Sequence, residues 1–289
     1  MNNRVKSLTS FLRTCRRLRR DWELKPFQEL WFRAEDASFY ATKLQPGLYR
    51  PRDKGAIRKP VQKLLKLENE LYEEFGRCGT QLSPADTWTI DDEWNSYFLM
   101  QHHGVPTRIL DWTDGALIAL HFAVSHKKDF VPQSDSIIYA IDPYWLLKRQ
   151  ERDPDRKDAE KRWETHWKKN RPSETDVEDW DRLYLPFGQD NPARPLLNMP
   201  SAPLLWDSPH VTRRIAAQRS RFMIFGKDQQ YLVNMEQERK ARLIAISIPK
   251  ESIVSIRQEL RDAGITESVV FPDLDGLGRE LHHQWKLRN

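Results

Sequence analysis

Apolar residues recur every three or four positions in two stretches of the chain. The first stretch carries Leu8, Phe11, Leu12, Cys15, Leu18 and Trp22, and the second carries Val61, Leu64, Leu65, Leu71, Tyr72 and Phe75. This spacing places each set on one face of a helix, so we predict two amphipathic helices, the second ending near Gly76. Glu68 is a carboxylate within the second apolar stripe.

Shorter apolar runs predict strands at residues 31–33, 107–112, 136–141, 221–225, 241–248 and 268–271. Further helices are predicted from about residue 91 to the histidines before Gly104, from 115 to about 126, and at 250–263 and 274–287. Strands lie towards both ends of the chain and do not alternate regularly with helices. The pattern therefore predicts an α+β fold with a mixed or antiparallel sheet and peripheral helices.

Two neighbouring segments do not fit this core pattern. Residues 151–171 contain 14 charged side chains, together with Trp163 and Trp167 at an i,i+4 spacing. This combination of high charge and spaced tryptophans is typical of either an exposed helix or an ordered insertion. Prolines recur without periodicity over 172–209, which we predict to be mostly loop.

Composition indicates a soluble intracellular protein. Charged residues make up 31% of the 289 residues, and the mean hydropathy is −0.76. Cys15 and Cys78 are the only cysteines, which argues against a disulfide framework or a thiolate zinc site and favours a reducing, cytoplasmic location. No apolar stretch approaches the roughly 20 residues of a membrane helix, so we predict no membrane partner.

The positive charge is concentrated at the N-terminus. Residues 1–25 hold eight basic and two acidic side chains, a net of +6, whereas the whole chain carries +5. We therefore predict a basic N-terminal helix (1–25) followed by one domain (26–289). The helix suits nucleic acid, whose phosphates attract such charge, or an acidic protein such as an antitoxin or inhibitor. A solvated face without a partner is the third interpretation.

Residues 101–113 carry an unusual density of polar groups beside an apolar segment. The candidate site residues there are His102, His103, Gly104, Thr107, Arg108, Asp111 and Thr113. Buried polar groups are costly unless each finds a partner, so this density predicts a binding or catalytic site. The structural alternatives are that the histidines satisfy carbonyls at a helix end and that Arg108 and Asp111 form a buried ion pair. No ligand spacing indicates a metal site.

Several of these segments resemble the FRG domain family. They are Trp31-Phe32-Arg33, the segment 44–50, the block 101–113 with Ala119–Ala123 after it, and, more weakly, 213–218, Phe222 and 271–275. The resemblance spans about residues 27–280. The family name records Phe-Arg-Gly, whereas this chain has Phe32-Arg33-Ala34. Alanine tolerates positive φ poorly, so the turn after Arg33 is expected to differ.

The order of these elements looks similar to that of ADP-ribosyltransferases. This resemblance implies that Arg33, residues 107–123 and Gln218 converge on one hollow that binds NAD as a co-substrate. Arg33, His103, Asp111 and Gln218 are then the implied catalytic residues. Arg33, His102, Gly104, Thr107, Arg108 and Thr113 are the implied cofactor-binding residues. Arg33 would bind the pyrophosphate, and Thr107 or Thr113 would hydrogen-bond the ribose. Either Asp111 would stabilise the developing cation or Gln218 would position the nucleophile.

The activity implied is transfer of ADP-ribose to nucleic acid or protein, as in a toxin or a phage-defence effector. ADP-ribosyltransferases commonly place a glutamate where this chain has Gln218, and an amide cannot act as a general base. Two alternatives therefore stand beside transfer. One is hydrolysis of NAD or nucleic acid, and the other is a non-catalytic module that binds a nucleotide, a nucleic acid or a peptide.

Overall fold

The structure is a computed structural model that describes residues 3–35, 43–51, 59–79, 82, 93–125, 134–170, 180–186, 199–207 and 212–286. Its helices are α1 (Leu8–Asp21), α2 (Val61–Gly79), α3 (Glu93–His102), α4 (Ala116–Val124), α5 (Pro143–Gln150), α6 (Pro154–Asn170), α7 (Arg213–Gln218), α8 (Tyr231–Glu236), α9 (Lys250–Asp262), α10 (Glu267–Val270) and α11 (Leu274–Lys286). Two 3-10 turns lie at Gly47–Tyr49 and Trp180–Tyr184.

The described strands form one antiparallel sheet of six. They are β1 (Trp31–Glu35), β2 (Ile109–Thr113), β3 (Ser136–Ile141), β4 (Leu204–Trp206), β5 (Ser220–Ile224) and β6 (Leu243–Ile248), and their order across the sheet is β4-β5-β2-β1-β3-β6. The predicted α+β class and antiparallel sheet are confirmed. This order makes β5, β2 and β1, which are distant in sequence, direct neighbours.

One face of the sheet, which we call the α1 face, packs against α1, α4 and α9. Phe32, Ile138 and Ile246 from the strands meet Phe11, Leu120 and Ile256 from the helices in one apolar cluster. Ser7 begins α1 with a capping box, in which its hydroxyl accepts from the Ser10 amide at 3.1 Å. The basic N-terminal helix is therefore part of the core rather than a separate arm.

A second apolar cluster covers β2 and β5 on the same face. Ile109, Phe222 and Ile224 pack there against Tyr97 and Phe98 of α3 and Trp163 of α6. On the opposite face, a third cluster joins Trp31, Leu110, Trp112 and Met223 to the segment 44–49, α2 and α8. Among the residues that the structure describes, no helix is long and apolar enough to cross a membrane.

Two predicted segments have different outcomes. The highly charged segment is the helix α6, whose Trp163 is buried in the second cluster. The strand predicted at 268–271 is wrong, because Glu267–Val270 is a short helix. The main-chain amide of Ser268 donates to Glu280 of α11, and that of Val270 donates to the Thr266 carbonyl. These donors are satisfied locally, without a strand partner. Most of 172–209 lies outside the described residues.

His121 makes the stability of this fold depend on pH. It is buried in α4, with its Nε2 3.5 Å from Glu267 Oε2 and 3.3 Å from Ser125 Oγ. Burial lowers the pKa of His121 from 6.5, opposed by Glu267 and Glu280 and reinforced by Arg257. The unfolded chain takes up this proton near pH 6.5, whereas the folded protein does so only at lower pH. The stabilisation is thus complete above pH 6.5 and is lost as the pH falls towards the folded-state pKa.

We expect the free energy of unfolding of the His121→Gln variant to depend less on pH than that of the wild type. Urea unfolding between about pH 7.5 and about pH 5 measures this, because the window spans the ordinary histidine pKa. Equal slopes for the two proteins over that window would contradict the assignment.

Candidate functional site

The site begins with a gap between β1 and β2. Among the described residues these strands pair at a single position, Phe32 opposite Thr113, whereas β1 pairs with β3 along its whole length. Arg33 extends into the gap, and its Nη1 donates a 2.7 Å hydrogen bond to the main-chain carbonyl of Asp111. In a continuous antiparallel ladder a main-chain N–H group of β1 would donate to a carbonyl of β2. Here the Arg33 side chain donates to the Asp111 carbonyl instead. Arg33 and the block 101–113 therefore meet at this gap.

Arg33 is fixed in position by a buried carboxylate. Its Nε donates to Glu35 Oε1 at 2.7 Å, and the Glu35 side chain is only 2% exposed. Glu35 also accepts from the amide of Leu44 and lies 3.6 Å from Arg50. Two residues apart on one strand, Arg33 and Glu35 share a face of the sheet. The Nη2 group of Arg33 has no hydrogen-bond partner within the described part of the chain.

Asp111 lies open on the α1 face of the sheet. Of the five residues of β2, all of which are described, only Asp111 is exposed. It lies where neither the cluster under α4 nor the cluster under α3 extends. An ionised side chain in the middle of a strand resists burial, which explains why the core leaves this position uncovered.

Gln101 orients this carboxylate. Its Nε2 donates to Asp111 Oδ2 at 2.8 Å, while its Oε1 accepts from the Thr107 hydroxyl at 2.6 Å. Thr107 in turn accepts from the amide of Ile109 at 3.1 Å. The carboxylate can only accept, so the Gln101 nitrogen must face Asp111, and its oxygen then faces the Thr107 hydroxyl. This chain of hydrogen bonds from Thr107 through Gln101 to Asp111, which we call the relay, fixes the amide in one orientation. The Oδ1 atom of Asp111 has no hydrogen-bond partner among the described residues.

His102 and His103 are both exposed at the end of α3, but their surroundings differ. Burial of part of its ring lowers the pKa of His102, and the charges of Arg214 and His103 lower it further, against an opposing effect of Asp111. The ring of His103 faces Phe75, with 6.4 Å between centroids. The charges of Arg214 and Asp111 therefore act on His102, whose lowered pKa keeps it mainly neutral at pH 7.

We call the exposed surface around Asp111 on the α1 face the opening. Arg108 and Thr107 are buried and do not line it. Arg108 is 1% exposed and its Nε lies 2.5 Å from Glu68 Oε2, while its other groups donate to the carbonyls of Phe225 and Tyr184. Glu68 outweighs the effect of burial and raises the pKa of Arg108. This placement argues against the cofactor-binding role predicted for both residues. The alternative of a buried ion pair between Arg108 and Asp111 is also wrong, because Arg108 pairs with buried Glu68 whereas Asp111 is exposed.

The remaining predicted residues shape the backbone around the opening. Thr113 is buried, and its hydroxyl donates to the Gln218 carbonyl at 2.7 Å and accepts from the Gly115 amide. The Gln218 side chain donates to the Val270 carbonyl at 3.3 Å. Gly104 has φ of 78°, which ends α3 where glycine is favoured. These contacts position α4, α7 and the hinge after α3, and they favour structural roles.

Three residues of the site were not predicted as site residues from the sequence: Gln101, Glu35 and Arg214. Gln101 begins the polar block, and Glu35 follows Arg33 at strand spacing, so a signal existed for both. Arg214 had no such signal, because its proximity to His102 depends on the packing of α7. No group of three His, Cys, Asp or Glu residues that could hold a metal ion occurs in the described ranges.

Comparison with known proteins gives one match. The family model described as FRG domain matches residues 21–131. The match includes β1 and the block 101–113 and ends before β3, so it does not extend to the C-terminal segments that resemble the same family. No curated protein and no solved structure shows significant similarity to the chain.

Proposed function

Since the chain carries an FRG domain at residues 21–131, with Arg33 and Asp111 joined at one gap of the sheet, we propose that it transfers ADP-ribose from NAD to a macromolecule. The observation that carries the proposal is the 2.7 Å contact from Arg33 to the main chain of Asp111, beside a carboxylate that remains open. Arg33 lies on the face of the sheet that carries Trp31, whereas the Asp111 carboxylate is open on the α1 face. In this proposal a dinucleotide reaches both groups through the gap between β1 and β2, with its anionic phosphates at Arg33 and its reacting ribose at Asp111.

Arg33 is assigned to the pyrophosphate. Its Nε and Nη1 hold it against Glu35 and the Asp111 carbonyl, and Nη2 is the group left for a ligand among the described contacts. A guanidinium fixed in this way loses little conformational entropy when it binds an anion. The ion pair with Glu35 thus supports pre-organisation of Arg33 for a phosphate oxygen.

In the proposed reaction the bond between the nicotinamide nitrogen and the ribose carbon breaks, and its electron pair leaves with nicotinamide. Positive charge develops on the ribose, where the Asp111 carboxylate, oriented by Gln101, stabilises it. The acceptor's nucleophile forms a new bond to the same carbon and gives its proton to His102, which its lowered pKa keeps neutral at pH 7. Gln218 positions α7 and takes no proton.

The proposal is tested by incubating the protein with NAD labelled in the adenylate group, together with cell lysate. We expect label in a macromolecular fraction, and a decrease of roughly tenfold to a hundredfold in Arg33→Lys, because lysine loses the fork of donors that charged hydrogen bonds use. Arg239→Ala, which alters an exposed arginine after α8, is the matched control and should label normally.

The distribution of the label separates the alternatives. Free ADP-ribose without labelled macromolecule would replace transfer by hydrolysis of NAD. Unchanged NAD in every fraction, with a folded protein by circular dichroism, would refute the catalytic proposal. A toxin or phage-defence role would further require that expression inhibits bacterial growth and that Arg33→Lys relieves this inhibition.

A further inference from the structure

An arginine outside the predicted site lies beside the opening. The guanidinium carbon of Arg214 is 4.8 Å from the centre of the Phe271 ring. Gln218, four residues later on the same face of α7, donates to the Val270 carbonyl. One face of α7 thus contacts the segment 270–271 through both Arg214 and Gln218. The hydrogen bond from Thr113 to the Gln218 carbonyl connects the same helix to β2. The position of Arg214 relative to the sheet is therefore fixed.

The charge of Arg214 is not neutralised by a described carboxylate. Arg279 lies over the same Phe271 ring at 4.7 Å, but it pairs with Glu267 at 2.7 Å. No hydrogen bond or ion pair joins Arg214 to any described residue, and its charge acts on His102. A guanidinium that lies over an aromatic ring can still donate its N–H groups to an anion.

Arg33 and Arg214 come from opposite sides of Asp111. In the order β5-β2-β1, Arg33 reaches β2 from β1, whereas α7 leads directly into β5. If Arg33 holds the donor's phosphates, a nucleophile that approaches the ribose from the other side passes Arg214. Phe122 lies there as well, 37% exposed and edge-on to Phe271, with 5.8 Å between ring centroids.

We propose, resting on the transferase assignment above, that Arg214, Phe271 and Phe122 form the acceptor subsite and that the acceptor is single-stranded nucleic acid. Arg214 binds a backbone phosphate, and the exposed face of Phe122 stacks on the adjoining base. Arginine with neighbouring aromatic side chains is the combination that recognises unpaired nucleotides. An acceptor without phosphate or base would use neither group.

The test is a fluorescence anisotropy titration of the full chain with labelled single-stranded RNA and DNA oligonucleotides, in the absence of NAD. We expect Arg214→Ala to weaken binding by about tenfold, because it removes a charged hydrogen-bond donor. It should also reduce the slope of log affinity against log salt by about one, as for one lost phosphate contact. Phe122→Ala should weaken binding with little change in that slope.

Arg213→Ala is the matched control, because Arg213 precedes Arg214 on α7, is exposed and has no partner within the described residues. It should bind oligonucleotide like the wild type. Equal weakening by Arg213→Ala and Arg214→Ala, or no binding by the wild type, would overturn the proposal. So would a raised KM for NAD in Arg214→Ala with oligonucleotide binding intact, which would assign the arginine to the dinucleotide. Absence of NAD turnover alone would refute only the transferase assignment, since the titration contains no NAD.

Discussion

The Arg108→Met variant is expected to lose about 3–5 kcal/mol of its free energy of unfolding, because it leaves a buried carboxylate without its cation. Arg108 and Glu68 are each 1% exposed, and Glu68 also accepts from the Tyr97 hydroxyl and from the Arg108 amide at 2.8 Å. The same guanidinium donates hydrogen bonds to the carbonyls of Phe225 and Tyr184, and both carbonyls would lose this donor in the variant. Equilibrium unfolding in urea, followed by tryptophan fluorescence, measures the loss.

Arg162→Met is the appropriate comparison. Arg162 pairs with Asp158 on the exposed side of α6, with side-chain exposures of 45% and 57%. Such surface pairs contribute roughly 0.2–1 kcal/mol, so this variant should unfold close to the wild type. If the two variants lost similar stability, the buried pair would not hold β2, α2 and the segment around Tyr184 together as its contacts indicate.

The Asp111→Asn variant is expected to lower kcat for NAD cleavage by about 10²–10³-fold, because it removes the negative charge next to the developing ribose cation. Asparagine keeps an oxygen that can accept from Gln101, so the relay from Thr107 is preserved. Since the side chain is exposed, the variant should unfold within about 0.5 kcal/mol of the wild type. Single-turnover assays of nicotinamide release, together with urea unfolding, separate the two effects.

Asp262→Asn provides a control with similar local chemistry. Asp262 is also an exposed carboxylate that accepts from a glutamine amide, here Gln258 at 2.7 Å, but it lies at the end of α9 outside the opening. This variant should cleave NAD normally. An Asp111→Asn protein with wild-type kcat would remove Asp111 from the reaction and leave Arg33 as part of a binding site only.

Much of the fold could be predicted from the sequence because its elements have clear periodicity. The strand at 136–141 is found at the predicted residues, and α1, α2, α9 and α11 agree with the predicted helices to within a few positions. The failure at 268–271 has a physical cause. Ser-Val-Val-Phe favours a strand by composition, but local acceptors and the packing of Val270 against its neighbours decide a four-residue segment.

Site residues were harder to predict than the elements that carry them. The sequence identified Arg33 and the polar block 101–113, since both are chemically conspicuous. It did not separate Asp111, which is exposed, from Arg108, which is buried, because strand alternation gives the side of the sheet only after the covering helices are known. The resemblances likewise indicated a candidate site around these residues, but the cofactor-binding roles that they implied for Thr107 and Arg108 do not fit the burial of both side chains.

The partner of Glu68 could not be predicted from the sequence. The sequence by itself placed this carboxylate in the apolar stripe of α2 and placed Arg108 in the strand predicted at 107–112, because both facts depend on local spacing. Only the tertiary structure decided that Glu68 and Arg108 meet and that Asp111 stays open between two apolar clusters. The physical reason is that an ionised group is buried where a partner from a distant segment compensates its lost hydration, and chain spacing does not specify that partner.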